Sequence, residues 1–303
     1  MLRVSDYLSA EERRALLERS DAWAMVLLCG NWLAIVALLA FAGYYPSVFS
    51  VLLVWLLLPG RQLGLSVLMH EAGHNSLFAT PWANRILGQW LCALPTLNDL
   101  GAYARGHLEH HRKAGTSEDP DLANYAAYPI DRSSFRRKVW RDLSGQTGFK
   151  LIMALAGGGA VHFGGQGRDG LRLLLKQILV QGVLAVMLIA MGIGWTWWLW
   201  FITFMTSYML VIRLRQIAEH AAVPDANDLD PRMNTRTVDA PAWQRFLLAP
   251  NFVNYHLEHH LMASVPCYRL PAFRERLKQK GLLEQVPDFT GYDQVLAHAV
   301  KAG

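Results

Sequence analysis

Two long stretches of the chain, 22–60 and 177–212, contain no charged residue. Each is long enough for two membrane-crossing helices of about 20 residues. Turn residues divide both: Gly43-Tyr44-Tyr45-Pro46-Ser47 in the first, and Gly192-Ile193-Gly194 in the second, the latter beside Trp195, Trp197, Trp198 and Trp200. Aromatic side chains there fit a membrane–water boundary. The pattern predicts four transmembrane helices in two hairpins, over 22–69 and 177–212. Proline removes a backbone donor, so Pro59 is expected to interrupt and kink the second span before the helix resumes through 63–68. Residues 86–97 are apolar but too short to cross, and are expected to dip into the membrane or lie at its surface.

The remaining segments are polar. Residues 1–20 are assigned to an N-terminal amphipathic helix, with Ser9 and Glu12 spaced as a capping box. Residues 113–150 are charged and turn-rich, including Ser117-Glu118-Asp119-Pro120-Asp121 and Arg136-Arg137-Lys138, and are expected to face solvent. The glycine groups at 157–159 and 164–167 lack the lysine and hydroxyl of a phosphate loop and read as a flexible connection. Val265-Pro266 and Leu270-Pro271 are expected to break helices ahead of an amphipathic helix over 272–281. The expected fold is a single all-α integral membrane domain over 1–303, with 70–176 and 213–303 forming a cytoplasmic helical cap.

Composition strengthens this picture. Of 303 residues 52% are hydrophobic and only 17% charged, against about 25% charged in an ordinary soluble domain. Cys29, Cys92 and Cys267 have no paired spacing, which excludes a disulfide framework and a thiolate zinc site and leaves them as small buried hydrophobes. The net charge of +5 comes without a nucleic-acid recognition motif. Both outer turns lack Lys and Arg, whereas the polar segments carry them, so the positive-inside rule puts the termini and the polar cap in the cytoplasm.

Candidate chemistry is concentrated in histidine. His107-Leu108-Glu109-His110-His111 recurs as His256-Leu257-Glu258-His259-His260, and His70-Glu71-Ala72-Gly73-His74 precedes both. On a helix, positions i, i+3 and i+4 share a face, so each of the two repeats is expected to aim three imidazoles at one point and the first cluster two. A catalytic metal takes about three protein ligands, so this supply implies two metals or a partly idle set. His220, at the end of the fourth span, is the natural ninth candidate, with Gln216 one turn before it. His162 and His298 stand alone and read as structural or exposed. Taken by itself, His70-Glu71-x-x-His74 also fits an intramembrane zinc metalloprotease, with Glu71 as general base.

With His70-x-x-x-His74, His107-x-x-His110-His111 and Asn254-Tyr255-His256-x-x-His259-His260 in this order, followed by Val265-Pro266, the chain resembles the membrane fatty acid desaturases of the histidine-box superfamily. The resemblance implies two non-haem irons held by His70, His74, His107, His110, His111, His220, His256, His259 and His260, with Gln216 as a further candidate. It also implies oxygen as co-substrate and removal of two hydrogens from an acyl chain on a lipid or thioester. Electrons would come from a separate ferredoxin or small cytochrome with its reductase. Lipid or carotenoid hydroxylation and ketolation belong to the same superfamily and stay open. Zinc has no redox chemistry, so iron suits such a reaction. Glu109, Glu258, Asp119, Asp121 and Glu219 are candidates to orient imidazoles. Arg213, Arg215 and Arg236 are candidates for an anionic head group, and the basic run Arg136, Arg137, Lys138 and Arg141 for an acidic electron donor or anionic lipid. A tunnel between the spans is expected to hold the chain.

Overall fold

The computed structural model describes residues 7–156 and 168–301; the glycine groups at 157–159 and 164–167, His162 and residues 1–6 lie outside them. The described chain is predominantly helical. Its first half comprises α1 (Ala10–Leu17), α2 (Asp21–Tyr44), α3 (Val48–Gly73), α4 (Pro81–Leu87), α5 (Leu100–Lys113), α6 (Leu122–Tyr125), α7 (Arg132–Leu143) and α8 (Gln146–Ala156). The second comprises α9 (Arg168–Ala190), α10 (Thr196–Met205), α11 (Ser207–His220), α12 (Pro231–Asn234), α13 (Ala242–Leu248), α14 (His256–Leu261), α15 (Leu270–Gln279) and α16 (Tyr292–Ala299). Among the described residues the strands form one two-residue parallel pair, Ile130–Asp131 with Val300–Lys301, which ties the start of α7 to the end of α16, and an isolated parallel bridge joins Val238 and Phe289. Among the described residues, four helical stretches are long and apolar enough to cross a membrane: Ala10–Tyr44, Val48–Gly73, Asp169–Ala190 and Thr196–His220.

Local sequence accounts for several helix starts. Ser9 and Glu12 form the reciprocal capping box of α1, with Glu12 accepting the Ser9 N–H at 2.7 Å. Ser20 caps α2, and Ser47 and Ser50 cap α3. Residues 86–97 form neither a span nor one continuous α-helix. α4 passes into a π-helical segment, Gly88–Ala93, and a 3-10 turn, Leu94–Thr96.

Several expectations need correction. The helix α3 runs unbroken through Pro59. Proline leaves the carbonyl four residues earlier without its usual donor, and Ser207 Oγ donates to that carbonyl, Trp55 O, at 2.8 Å. Pro271 starts α15 rather than ending a helix, since its missing N–H falls in the first turn. The third long helix begins at Arg168, upstream of the uncharged run at Gln177, because Asp169 and Arg172 are exposed and pair with each other without breaking the helix. The fourth continues past Ile212 to His220. Arg213 is neutralised inside the protein by Asp142, at 2.5 and 2.8 Å, and Arg215 by Glu219, at 2.6 Å. Arg236 Nη2 bonds to Ala221 O and Ala222 O, so all three arginines considered for a head group have partners within the protein. Cys29 is exposed, unlike buried Cys92 and Cys267.

The apolar core among the long helices includes Ile35, Leu39, Val54, Leu58, Leu65, Leu199 and Trp200. In lipid such packing is driven by close contact rather than by exclusion of water. Outward faces carry exposed Val26, Leu33, Phe49, Leu52, Val186 and Ile189, as a lipid-facing surface requires. Two glycines on α3 admit a later part of the chain. A Cβ at Gly60 would stand 2.6 Å from Phe246 O, and one at Gly64 would stand 1.9 Å from Asn31 Oδ1. Asn251 closes the contact, donating to Gly64 O at 2.8 Å while accepting from Asn31 at 3.0 Å. Arg61 donates to Phe246 O and stacks 4.1 Å from the Phe246 ring centroid. The chain entering α14 is thereby fixed against the helix that carries His70.

Candidate metal centre

The nine histidines expected as ligands come together as two neighbouring groups. His70, His74, His107, His111 and His259 form one; His110, His220, His256 and His260 form the other. Within each, one potential ligand atom per residue lies within 4.8 Å of the rest. His70 and His74 come from the end of α3, His107, His110 and His111 from α5, His220 from the end of α11, and His256, His259 and His260 from α14.

The pentapeptides do not converge as expected. His107 and His111 face the five-histidine group and His110 the other; His256 and His260 face the four-histidine group and His259 the first. Each residue advances a helix by about 100°, so i and i+4 are about 40° apart while i+3 falls about 60° to the other side of i. A short helix between two sites divides its imidazoles in that way. His298 stays apart, its ring bonded to Ala222 O at 3.0 Å.

Nδ1 contacts orient the rings. His110 Nδ1–H donates to Asp119 Oδ1 at 2.8 Å, and Tyr125 donates from its hydroxyl to Asp119 Oδ2. The Tyr125 ring stacks on His220, centroids 4.9 Å apart, and His220 Nδ1–H donates to Asn234 O at 3.2 Å. Glu219 Oε1 lies 3.5 Å from His256 Nδ1. His70 Nδ1–H donates to Glu71 Oε1 at 3.0 Å. Carboxylates in this position fix the tautomer that leaves Nε2 free.

Asp119 hydrogen-bonds an imidazole and Glu219 and Asp121 lie beside one, whereas Glu109 and Glu258 touch none. Glu109 is a surface group paired with Arg112 and Lys113. Glu258 is fully buried but serves Thr237 and Arg274, joining α14 to α15. Asp121 donates its backbone N–H to Asp119, and its half-exposed carboxylate lies 3.9 Å from His110 Nδ1. Gln216 makes no hydrogen bond to these histidines among the described residues. Sequence reasoning missed the imidazole contact of Glu71, whose signal was its place beside His70. It also missed Tyr125, for which the sequence carries none.

The residues present fit metal ions. The Nε2 atoms of His70, His74 and His260 are buried without a hydrogen-bond partner. Three Nε2 pairs close to 2.8–2.9 Å: His107 with His111, His111 with His259, and His220 with His256. Burial favours the neutral form of His74, His107, His256, His259 and His260. It holds His74 down at about 4, and it acts with neighbouring imidazoles to hold His107, His256, His259 and His260 well below their ordinary value. Neutral lone pairs converging in a shielded space without enough protons to pair them are a ligand set for transition metals.

A family model for fatty acid desaturases matches residues 46–291. The chain belongs to that family. It is an oxidoreductase and an integral membrane protein. It is 27% identical to an sn-1 oleoyl-lipid 12-desaturase of Picosynechococcus sp., over 92% of this chain and 83% of that one. It is 24% identical to a dihydrorhizobitoxine desaturase of Bradyrhizobium elkanii, over 85% and 76%. A β-carotene ketolase of Paracoccus sp. is 26% identical, over 74% and 77%.

Proposed function

We propose that this chain is an oxygen-dependent di-iron lipid desaturase that introduces a carbon–carbon double bond into an acyl chain. The observation that carries the reading is the pair of adjacent imidazole groups, five and four residues strong, with unpaired nitrogens turned inward. When bound, two irons supply the redox chemistry by which one oxygen molecule, two electrons, two protons and the two hydrogens removed from the chain yield two waters. His70, His74, His107, His111 and His259 hold one iron; His110, His220, His256 and His260 hold the other. Asp119, Glu219 and Glu71 keep the rings aligned.

In this reading the acyl chain occupies an apolar cavity of about 490 Å³ lined by Leu97, Leu174, Ile178, Ala185 and Trp197, among α8, α9 and α10. That is narrower than a tunnel bounded by all four spans. Electrons come from a separate ferredoxin or small cytochrome with its reductase, and the metal centre and both termini face the cytoplasm.

The protease alternative loses its base: both Glu71 oxygens are taken, by His70 on one side and by Ser76 and the Cys267 N–H on the other. Similarity to a β-carotene ketolase favours one second reading, oxidation of a lipid or carotenoid with oxygen retained in the product. Product mass separates them. Cells carrying the intact chain are expected to contain lipids two hydrogens lighter, and the purified chain two irons; His259→Ala should lose the lighter lipids and the iron of the five-histidine group. Products gaining oxygen would replace desaturation by the second reading, and zinc without iron would overturn both.

A further inference from the structure

The two imidazole groups share their helices but not their carboxylates. Both α5 and α14 supply ligand candidates to each group. Asp119 and Glu219 contact only members of the four-histidine group. Glu71 contacts only the five-histidine group: besides bonding His70 Nδ1, its Oε1 lies 4.0 Å from His259 Nδ1, a buried atom with no hydrogen-bond partner.

The other oxygen is equally committed. Glu71 Oε2 accepts from the Cys267 backbone N–H at 2.9 Å and from Ser76 Oγ at 3.1 Å. One carboxylate with 2% of its residue surface exposed therefore joins the first histidine cluster to the segment that follows the third. Rotation about its terminal bond would exchange its oxygens without freeing either. A polar helix end does not require this fixation, and a general base would need an uncommitted oxygen.

We propose that Glu71 is the positioning residue for the metal held by the five-histidine group, an inference that rests on the metal-centre reading above. It selects the tautomer in which His70 presents Nε2, and it sets the distance between His70 and His259. Its influence is confined to one of the two sites.

Glu71→Gln tests this because it keeps the volume and replaces one acceptor by an NH2. If the amide nitrogen faces the Cys267 N–H, two donors oppose each other. If it faces His70, the imidazole must accept at Nδ1 and carry its proton on Nε2, the wrong tautomer for ligation. Removing such a partner weakens metal binding about 10- to 100-fold. Purified Glu71→Gln protein, washed with chelator, is expected to hold one iron where the parent holds two, and its Mössbauer spectrum to lose one iron component. Helicity should be retained.

Ser76→Ala, which removes one donor to Oε2, is the second variant. It is expected to release one iron several-fold faster to chelator while the other is unchanged, and it decides the matter if Glu71→Gln does not fold. Two irons in a folded Glu71→Gln protein, equal loss of both, or unchanged release from Ser76→Ala would each overturn the role of Glu71 and leave the di-iron reading standing. A parent protein without iron would overturn both.

Discussion

Identical neighbours do not give identical roles at Glu109 and Glu258. Each sits between a leucine and two histidines, yet one is paired at the surface with Arg112 and Lys113 and the other is buried against Arg274. The histidines were legible because imidazole at that density has few other uses. Their partition was not, since it depends on which side of a short helix each site lies. Asp119 could be nominated from its sequence context, but its value comes from three contacts at once: the His110 ring, the Tyr125 hydroxyl and the Asp121 N–H. Asp119→Asn is expected to weaken metal retention about 10- to 100-fold, measured by competition with a chelator. Glu109→Gln should leave retention unchanged, because its solvent-screened pairs with Arg112 and Lys113 touch no imidazole.

At the scale of elements, absence of charge located the apolar helices because lipid tolerates few ions. It misplaced their ends where charged residues sat in the helix with a partner, inside the protein for Arg213 with Asp142 and at the surface for Arg172 with Asp169. The continuity of α3 through Pro59 was hidden for a similar reason, since Ser207, which serves the freed carbonyl, lies 152 residues away. Ser207→Ala should leave Trp55 O without that donor and cost about 1–3 kcal/mol, read as a lower thermal midpoint in detergent. Gly64→Ala tests the seat of the final third on α3. Its methyl would overlap Asn31 Oδ1, so Asn31 and Asn251 must part. A loss of about 1–3 kcal/mol is expected, together with reduced metal content, because Asn251 leads directly into α14.

For the whole molecule, the apolar cavity and the orientation are separately testable. Gly182 lines the cavity, and a Cβ there meets no atom within 4 Å. Gly182→Phe should therefore fold and keep its metals while shifting product profiles toward shorter chains, read by lipid mass spectrometry. Orientation can be read with single cysteines in a Cys29→Ser background: Ser133→Cys on α7 should react with an impermeant reagent only after cells are opened, and Tyr45→Cys before. The candidate ligands begin at His70 and end at His260, on elements joined only through tertiary contacts. During synthesis, nearly two hundred further residues follow His70 and His74 before His260 is made. In the proposed reading, metal capture is then a closing event of biogenesis: a ribosome-bound chain shorter than 260 residues has no complete site to load.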